Sequence, residues 1–245
     1  MVRTVGIVII GNEVLSGKVK DLNGPYLIAE LRKLGSNVRR LAIIPDELEE
    51  IGDTVRRYSE QFDDVITTGG VGPTHDDRTI EGIAHGFKVD VVRHPELEAV
   101  LRGHFGDRIN ESVLRMADVP RDTELLFDRE FPWPTVLFRN VYIMPGIPKI
   151  LKTKFHSVRE RFRGEPIYGR HVYLQLREDA IAQLLATLDQ SHPAVEIGSY
   201  PILERENYRG VVTFESRDSR ALECVVEAFL AEIPEEAVHQ IRDEA

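Results

Sequence analysis

With 245 residues, 42% hydrophobic and 29% charged, the chain has a soluble globular composition and enough length for one large or two modest domains without disulfide staples. Its net charge of −10 argues against a general nucleic-acid or anionic-membrane binder, since either partner requires a basic face. A small anionic ligand stays open, because a local cradle of amides or a bound metal can outweigh the global charge. The single cysteine, Cys224, excludes an intramolecular disulfide and a cysteine-built metal site. The first apolar run, residues 5–10, is too short for a signal-peptide core, and no stretch reaches the length of a membrane span. The expectation is a complete, cytoplasmic protein.

Taken in chain order, TVGIVII (residues 4–10) is a β-branched run that ends at Gly11 and reads as a buried parallel strand. A polar loop, NEVLSGKVKDLNG, follows. Pro25 then opens a helix carrying Leu27, Leu31 and Leu34, and Gly35 closes it. Residues 38–44 are a second strand. Pro45 and Asp46 begin a second helix, with Glu47, Glu49 and Glu50 in its first turns, where the helix dipole favours acids. A third strand covers 64–68 and a helix covers 79–86. Residues 94–117 read as helical, 118–135 as irregular with FPWPT (131–135) as a rigid connector, and 136–144 as a strand pair or one bent strand. After Pro145-Gly146, a helix is predicted over 147–163. RGEPIYG (163–169) is a linker. Strand 171–176, helix 178–188, strands 195–200 and 211–216 and helix 219–233 then give a β-α-β-β-α order, a small α+β unit of the split βαβ kind. The expected architecture is a three-layer α/β/α domain with a mostly parallel sheet over residues 1–165 and a small C-terminal α+β subdomain over 166–245.

Open α/β sheets bind ligands at the carboxyl ends of their strands, so the loops there carry the functional candidates. After the third strand comes TTGGVGPTHDD (67–77). Gly69, Gly70 and Gly72 permit positive φ and a nest of amides, Thr74 and Thr79 supply hydroxyls, and a helix N-terminus follows. Asp76 and Asp77 repel a phosphate unless a divalent cation sits between. Mg²⁺ suits such a site, taking few protein carboxylates together with waters and phosphate oxygens. The same residues also fit a tight βα turn with Asp77 as a helix N-cap. After the first strand, Gly11, Asn12, Glu13, Lys18, Lys20 and Asp21 form a second candidate loop, in which Glu13 and Asp21 fit turn and helix caps equally well. After the fourth, MPGIPK places Gly146 in a sharp turn and Lys149 in a first helical turn, where it opposes the dipole. His75 is a candidate general base or metal ligand, although a lone loop histidine is more often neither. Trp133 reads as a packing wedge, and Tyr200 and Tyr208 as core packing or contacts to an adenine or flavin ring. Neither a P-loop lysine nor a GxGxxG spacing is present.

GNEVLSGKVKDLN, TTGGVGPTHDDRT and MPGIPK, in this order and spacing, resemble the molybdopterin-binding (MoCF/MoaB–Mog) superfamily. Within it the resemblance is to the CinA N-terminal-domain branch, and is greatest to the molybdopterin-binding-like domain of FAD synthases. It covers residues 4 to about 154, extending loosely through GSYP (198–201). It implies a site at the strand ends for a nucleotide or pterin phosphate, a Mg²⁺ or other divalent ion, no nucleic-acid polymer or membrane partner, and a homo-oligomer. By motif, Gly69, Gly70, Gly72 and Thr74 would cradle phosphate, with Thr79, Gly11, Asn12, Lys18 and Gly146 around them. Glu13, Asp21 and Asp77 would hold the metal, and Asp77, Asp76, His75 and Lys149 would carry the chemistry. Three positions depart from the pattern. Ile147 stands where the molybdenum-cofactor branch has Asn, Val71 where the CinA branch commonly has Thr, and Asn12 in place of a frequent Asp, which removes one acid from a three-acid metal site. The resemblance reaches neither a CinA-type deamidase domain nor an FAD-synthase synthetase domain, so neither activity is expected. The implied function is metal-dependent hydrolysis of a nucleotide pyrophosphate of the ADP-ribose or FAD class. The alternatives are a molybdopterin-binding protein or adenylyltransferase, and a non-catalytic nucleotide-binding module.

Overall fold

The computed structural model describes residues 2–128, 132–202 and 207–244 and divides into two units, Met1–Gly164 and Glu165–Ala245. The first unit contains β1 (Thr4–Ile10), α1 (Asn12–Leu15), α2 (Asn23–Lys33), β2 (Asn37–Ile44), α3 (Leu48–Gln61), β3 (Asp64–Thr68) and α4 (Thr79–Phe87). These are followed by β4 (Val91–Arg93), α5 (Pro95–Phe105), α6 (Glu111–Leu114), β5 (Asp118–Pro120), β6 (Glu124–Leu126), β7 (Thr135–Phe138), β8 (Val141–Met144) and α7 (Pro148–Val158).

The main sheet has the order β2-β1-β3-β8-β7-β6, parallel from β2 to β8 and antiparallel at β7 and β6. Alternation along β1 makes it three-layered. Val5, Ile7 and Ile9 pack with Leu27, Leu31, Leu151 and Phe155 of α2 and α7, while Val8 and Ile10 pack with Ile51, Val55 and Ile83 of α3 and α4. A strand buried on both faces reads as a continuous apolar run, which is why TVGIVII is so legible. On the second face α3 and α4 cross closely: a Cβ on Gly86 would lie 2.3 Å from the Gly52 carbonyl oxygen. The chain passes from β1 to β2 on one side, then crosses back over β1 to β3 on the other. The switch point, and with it the expected ligand crevice, therefore lies at the carboxyl ends of β1 and β3.

The second unit contains β9 (Tyr168–Leu174), α8 (Glu178–Ser191), β10 (Glu196–Pro201), β11 (Gly210–Ser216), α9 (Ser219–Ala231) and β12 (Val238–Glu244). Its antiparallel sheet has the order β10-β11-β9-β12, a split βαβ arrangement. Val172, Leu174, Val212 and Phe214 pack on Ile181, Leu188, Val225 and Phe229 of the helices. No helix among the described residues is long and apolar enough to cross a membrane.

Several local expectations are corrected. The 94–117 helix is broken: Gly106, at φ 51°, ends α5, and the Asn110 side chain accepts from the Val113 amide to start α6. Residues 118–135 are not simply irregular, since β5 pairs with β4, and β6 and β7 join the main sheet. Three-residue strands are too short to show a period. The FPWPT connector begins at Phe131, outside the described residues, and its Thr135 already belongs to β7. Residues 136–144 resolve as a strand pair with Arg139, at φ 54°, in the turn. The expectation omitted β12, whose sequence VHQIRDE is largely polar, as suits an edge strand that pairs through its backbone with β9.

Candidate functional site

Four loops leave the carboxyl edge of the parallel strands, and side chains lace them together. The glycine pair after β3 is a structural requirement of that edge. Gly69 has φ 105°, and a Cβ there would lie 2.0 Å from the Ile10 carbonyl oxygen; Gly70 follows at φ 60°. The Gly69 amide donates to Met144 O at 3.3 Å, and Thr79 returns to the same turn, its amide to Gly70 O at 3.0 Å and its hydroxyl to Gly69 O at 2.8 Å. β1, β3 and β8 are thus joined through one pair of glycines. The amides of Gly70, Val71 and Gly72 have no acceptor among the described residues, and no side chain caps α4. That is the anion-receptive part of the loop.

Beyond it, Asp77 folds back on its own loop. Its Oδ2 accepts from the Thr74 amide at 2.9 Å and from the Thr74 hydroxyl. Asp77 therefore caps no helix, contrary to the bland expectation for it, and uses one carboxylate oxygen to shape the 70–78 turn. Asp76 is exposed, and its carboxyl is held below its ordinary range by the nearby Thr74 hydroxyl, its own backbone amide and His75. The one Thr74 O–H serves either acid at a time, and its geometry favours Asp77.

Asn23, 6% exposed, links three elements: its Nδ2 donates to Thr68 Oγ1 at 3.0 Å and to Gly146 O at 2.7 Å, while its Oδ1 is buried without a partner among the described residues. Thr68 in turn donates to Pro145 O at 2.9 Å. Asp46, after β2, accepts from the Asn12 amide at 2.8 Å and so holds the start of α1. The sequence reading took Asp46 for a helix opener and passed over Asn23 and Thr68. The available signal was position, since Asp46 follows a parallel strand directly and Asn23 ends the first-strand loop.

Several predicted ligand contacts turn inward. Gly11 is buried with its amide on Ile44 O at 3.1 Å; Gly69 and Thr79 are spent on the turn; the Asn12 amide is taken by Asp46. Asp21 accepts from the amides of Asn23 at 2.8 Å and Gly24 at 3.1 Å, so it caps α2. Glu13 is exposed, with its carboxylate folded against Gly11. Among the described residues no three His, Cys, Asp or Glu side chains are grouped to hold a metal, so Glu13, Asp21 and Asp77 do not form a ready-made cage. Gly70, Gly72, Thr74, His75, Asp76 and Gly146 do line the edge. Lys18, Lys20 and Lys149 are exposed there with no acidic partner among the described residues, although the chain as a whole has 41 acids against 31 bases. On α7, Lys154 donates to Pro134 O, and desolvation by burial lowers its pKa to about 8.

Comparison with known proteins agrees with this geometry. Residues 6–163 match the model of the probable molybdopterin binding domain, and residues 166–242 that of the FAD synthase middle domain. A protein of Archaeoglobus fulgidus is 33% identical over 91% of this chain and 95% of its own. The probable FAD synthase of Caenorhabditis elegans is 32% identical over 91% of this chain, which spans 49% of that relative's length. Among solved structures, the protein CinA of unknown function from Thermoplasma acidophilum superposes with a TM-score of 0.60 at 27% identity, over 66% of this chain and 98% of its own.

Proposed function

The chain belongs to the molybdopterin-binding domain family, and from that premise we propose that its N-terminal unit binds a nucleotide pyrophosphate of the ADP-ribose or FAD class and hydrolyses it with a divalent ion. The observation that carries this reading is the lacing of the loops after β1, β3 and β8 by Asn23 and Thr68. It sets glycine amides and lysines that have no partner among the described residues on one edge of an acidic protein. The FAD class is suggested by the relatives named probable FAD synthase, of which this chain spans about half.

The residues suit a divalent ion that the substrate's own phosphates largely ligate. One ionised carboxylate, Asp76, is available, and Mg²⁺ retains waters and phosphate oxygens readily. Held beside Asp76, such an ion would neutralise phosphate charge and polarise a phosphoryl oxygen. The protein's part follows from its own groups. Amides of Gly70, Val71 and Gly72 bind a phosphoryl oxygen, and Asp77 keeps their loop in shape through Thr74. Water attacks one phosphorus, His75 or Asp76 takes its proton, and the bridging P–O bond breaks to leave two phosphate monoesters. Lys149 and Lys18 meet the charge that develops on the leaving phosphate.

A second reading is binding of a pterin or nucleotide phosphate without turnover, favoured by the lack of a three-carboxylate group among the described residues. Incubation with ADP-ribose or FAD plus Mg²⁺, Mn²⁺ or Co²⁺ separates the two: AMP release supports hydrolysis, whereas saturable binding with no AMP supports a binding module. Self-association belongs to the same proposal. Leu15, Val19 and Leu22 on the first loop are 52, 51 and 54% exposed, an apolar rim suited to burial against another copy. Light scattering that gave only a 27.9-kDa species at every concentration would remove that part.

A further inference from the structure

The C-terminal unit carries a cleft of its own, of about 320 Å³, lined by Gln175, Asn207, Tyr208, Arg209 and His239. It lies at one end of the antiparallel sheet, where β9 finishes and β11 and β12 begin. The backbone there is pinned. The Arg209 amide donates to Leu174 O at 2.7 Å, the Gln175 amide to Ala237 O at 2.8 Å, and Arg209 O accepts from Ile202 at 2.8 Å. His239 is the extra residue of a β-bulge, since Val238 pairs with Leu174 and Gln240 with Tyr173. A bulge re-aims the side chain it carries.

An aromatic row runs into the cleft. The Arg242 guanidinium lies 5.2 Å from the Tyr173 ring, Tyr173 meets Tyr208 edge-on at 5.0 Å, and Tyr208 stacks on His239 at 5.5 Å with 29° between planes. The row ends at His239, which is exposed. Around it, the side chains of Gln175, Asn207 and Arg209 have no hydrogen-bond partner among the described residues. Among the described residues Arg209 has no acidic partner, in a chain with an excess of acids. An aromatic face, two carboxamides that both donate and accept, and one guanidinium make a complementary set: stacking for a flat ring, edge hydrogen bonds for its heteroatoms, and a fork for a phosphate.

We propose that this cleft is a second ligand site, taking a planar nitrogen heterocycle that carries one phosphate, that is, a mononucleotide. Size suits a mononucleotide. A volume near the lower end of ligand pockets, which span about 300–1,000 Å³, matches one base and its phosphate. Nothing in the inference rests on catalysis at the N-terminal loops.

The test uses the full chain bearing Asp76→Asn and Lys149→Ala, so that the N-terminal loops contribute as little binding as possible. Titration calorimetry with AMP should give saturable binding of one molecule per chain. Arg209→Gln added to that background should weaken it about tenfold, and His239→Ala by a similar factor, through loss of the charge-assisted bond and of the stacking face. Both positions are exposed, so circular dichroism should show the fold unchanged. Adenosine and inorganic phosphate should each bind more weakly than AMP, and FMN in place of AMP tells whether an adenine or a flavin ring is preferred. Absence of saturable binding for both AMP and FMN overturns the proposal. So does binding indifferent to Arg209→Gln and His239→Ala, or phosphate binding as tight as AMP.

Discussion

Replacing Asn23 tests the lacing of the site most sharply, because the side chain is buried and its donor geometry is specific. Asn23→Ala removes the bonds to Thr68 Oγ1 and Gly146 O, each contributing about 1 kcal/mol. It also leaves a small void, at about 1 kcal/mol, and relieves the unpartnered Oδ1, which costs about 1–3 kcal/mol where it stands. The net loss is therefore small, about 0–2 kcal/mol. Asn23→Asp differs: it keeps the volume, exchanges the amide donor for an oxygen facing two oxygens, and buries a charge. Its cost should exceed that of the alanine variant by about 2–3 kcal/mol. Urea unfolding followed by the fluorescence of Trp133, the single tryptophan and part of the N-terminal unit, measures both without interference from the other unit. Ligand affinity should fall in both variants as the three loops lose their common register. If Asn23→Asp proved as stable as Asn23→Ala, the hydrogen-bond assignment, and with it the lacing, would be wrong.

Other outcomes follow from the same structure. Gly86→Ala should destabilise the N-terminal unit by about 2–3 kcal/mol, because a Cβ there falls 2.3 Å from a backbone oxygen that cannot rotate away; chemical denaturation reads this directly. Lys154 has a folded pKa of about 8 against an ordinary 10.5, so the unfolded chain holds the extra proton between those values and stability should rise with pH across that window. Lys154→Met should accordingly stabilise at pH 7, by about 1–3 kcal/mol, with the gain fading between pH 8 and 10.5. Lys149→Ala should leave the unfolding midpoint unchanged, since the side chain is exposed and has no partner among the described residues, yet weaken nucleotide binding about fivefold or more, with a shallower salt dependence.

What could be read in the sequence depended on how far each signal is local. The parallel strands announced themselves because β1 and β8 are buried on both faces and carry near-continuous apolar runs, and β3, DVITT, is a β-branched run leading into the glycine loop. The glycine loop was legible as a special backbone, and its φ values of 105° and 60° agree. The division of labour inside the loops was not legible, because each polar group has several nearby backbone and side-chain partners within reach and the sequence does not say which one it takes. Asp21 caps its own helix, Asp77 holds Thr74, and Thr79 closes the glycine turn; each carboxylate or hydroxyl looked available only while its partner was unknown. Asn23 and Asp46 were missed for the converse reason: Asn23 bonds partners 45 and 123 residues away, and Asp46 bonds the backbone of another loop. β12 escaped because an edge strand needs backbone pairing more than apolar side chains.

The central claim is that the laced loops bind and split a nucleotide pyrophosphate, and product analysis with ADP-ribose and Mn²⁺ tests it most directly. The unmodified protein should release AMP and ribose 5-phosphate in equal amounts, and the Asp76→Asn, Lys149→Ala double variant, still folded, should release neither. AMP from the unmodified protein at no more than the double variant's level would contradict the account.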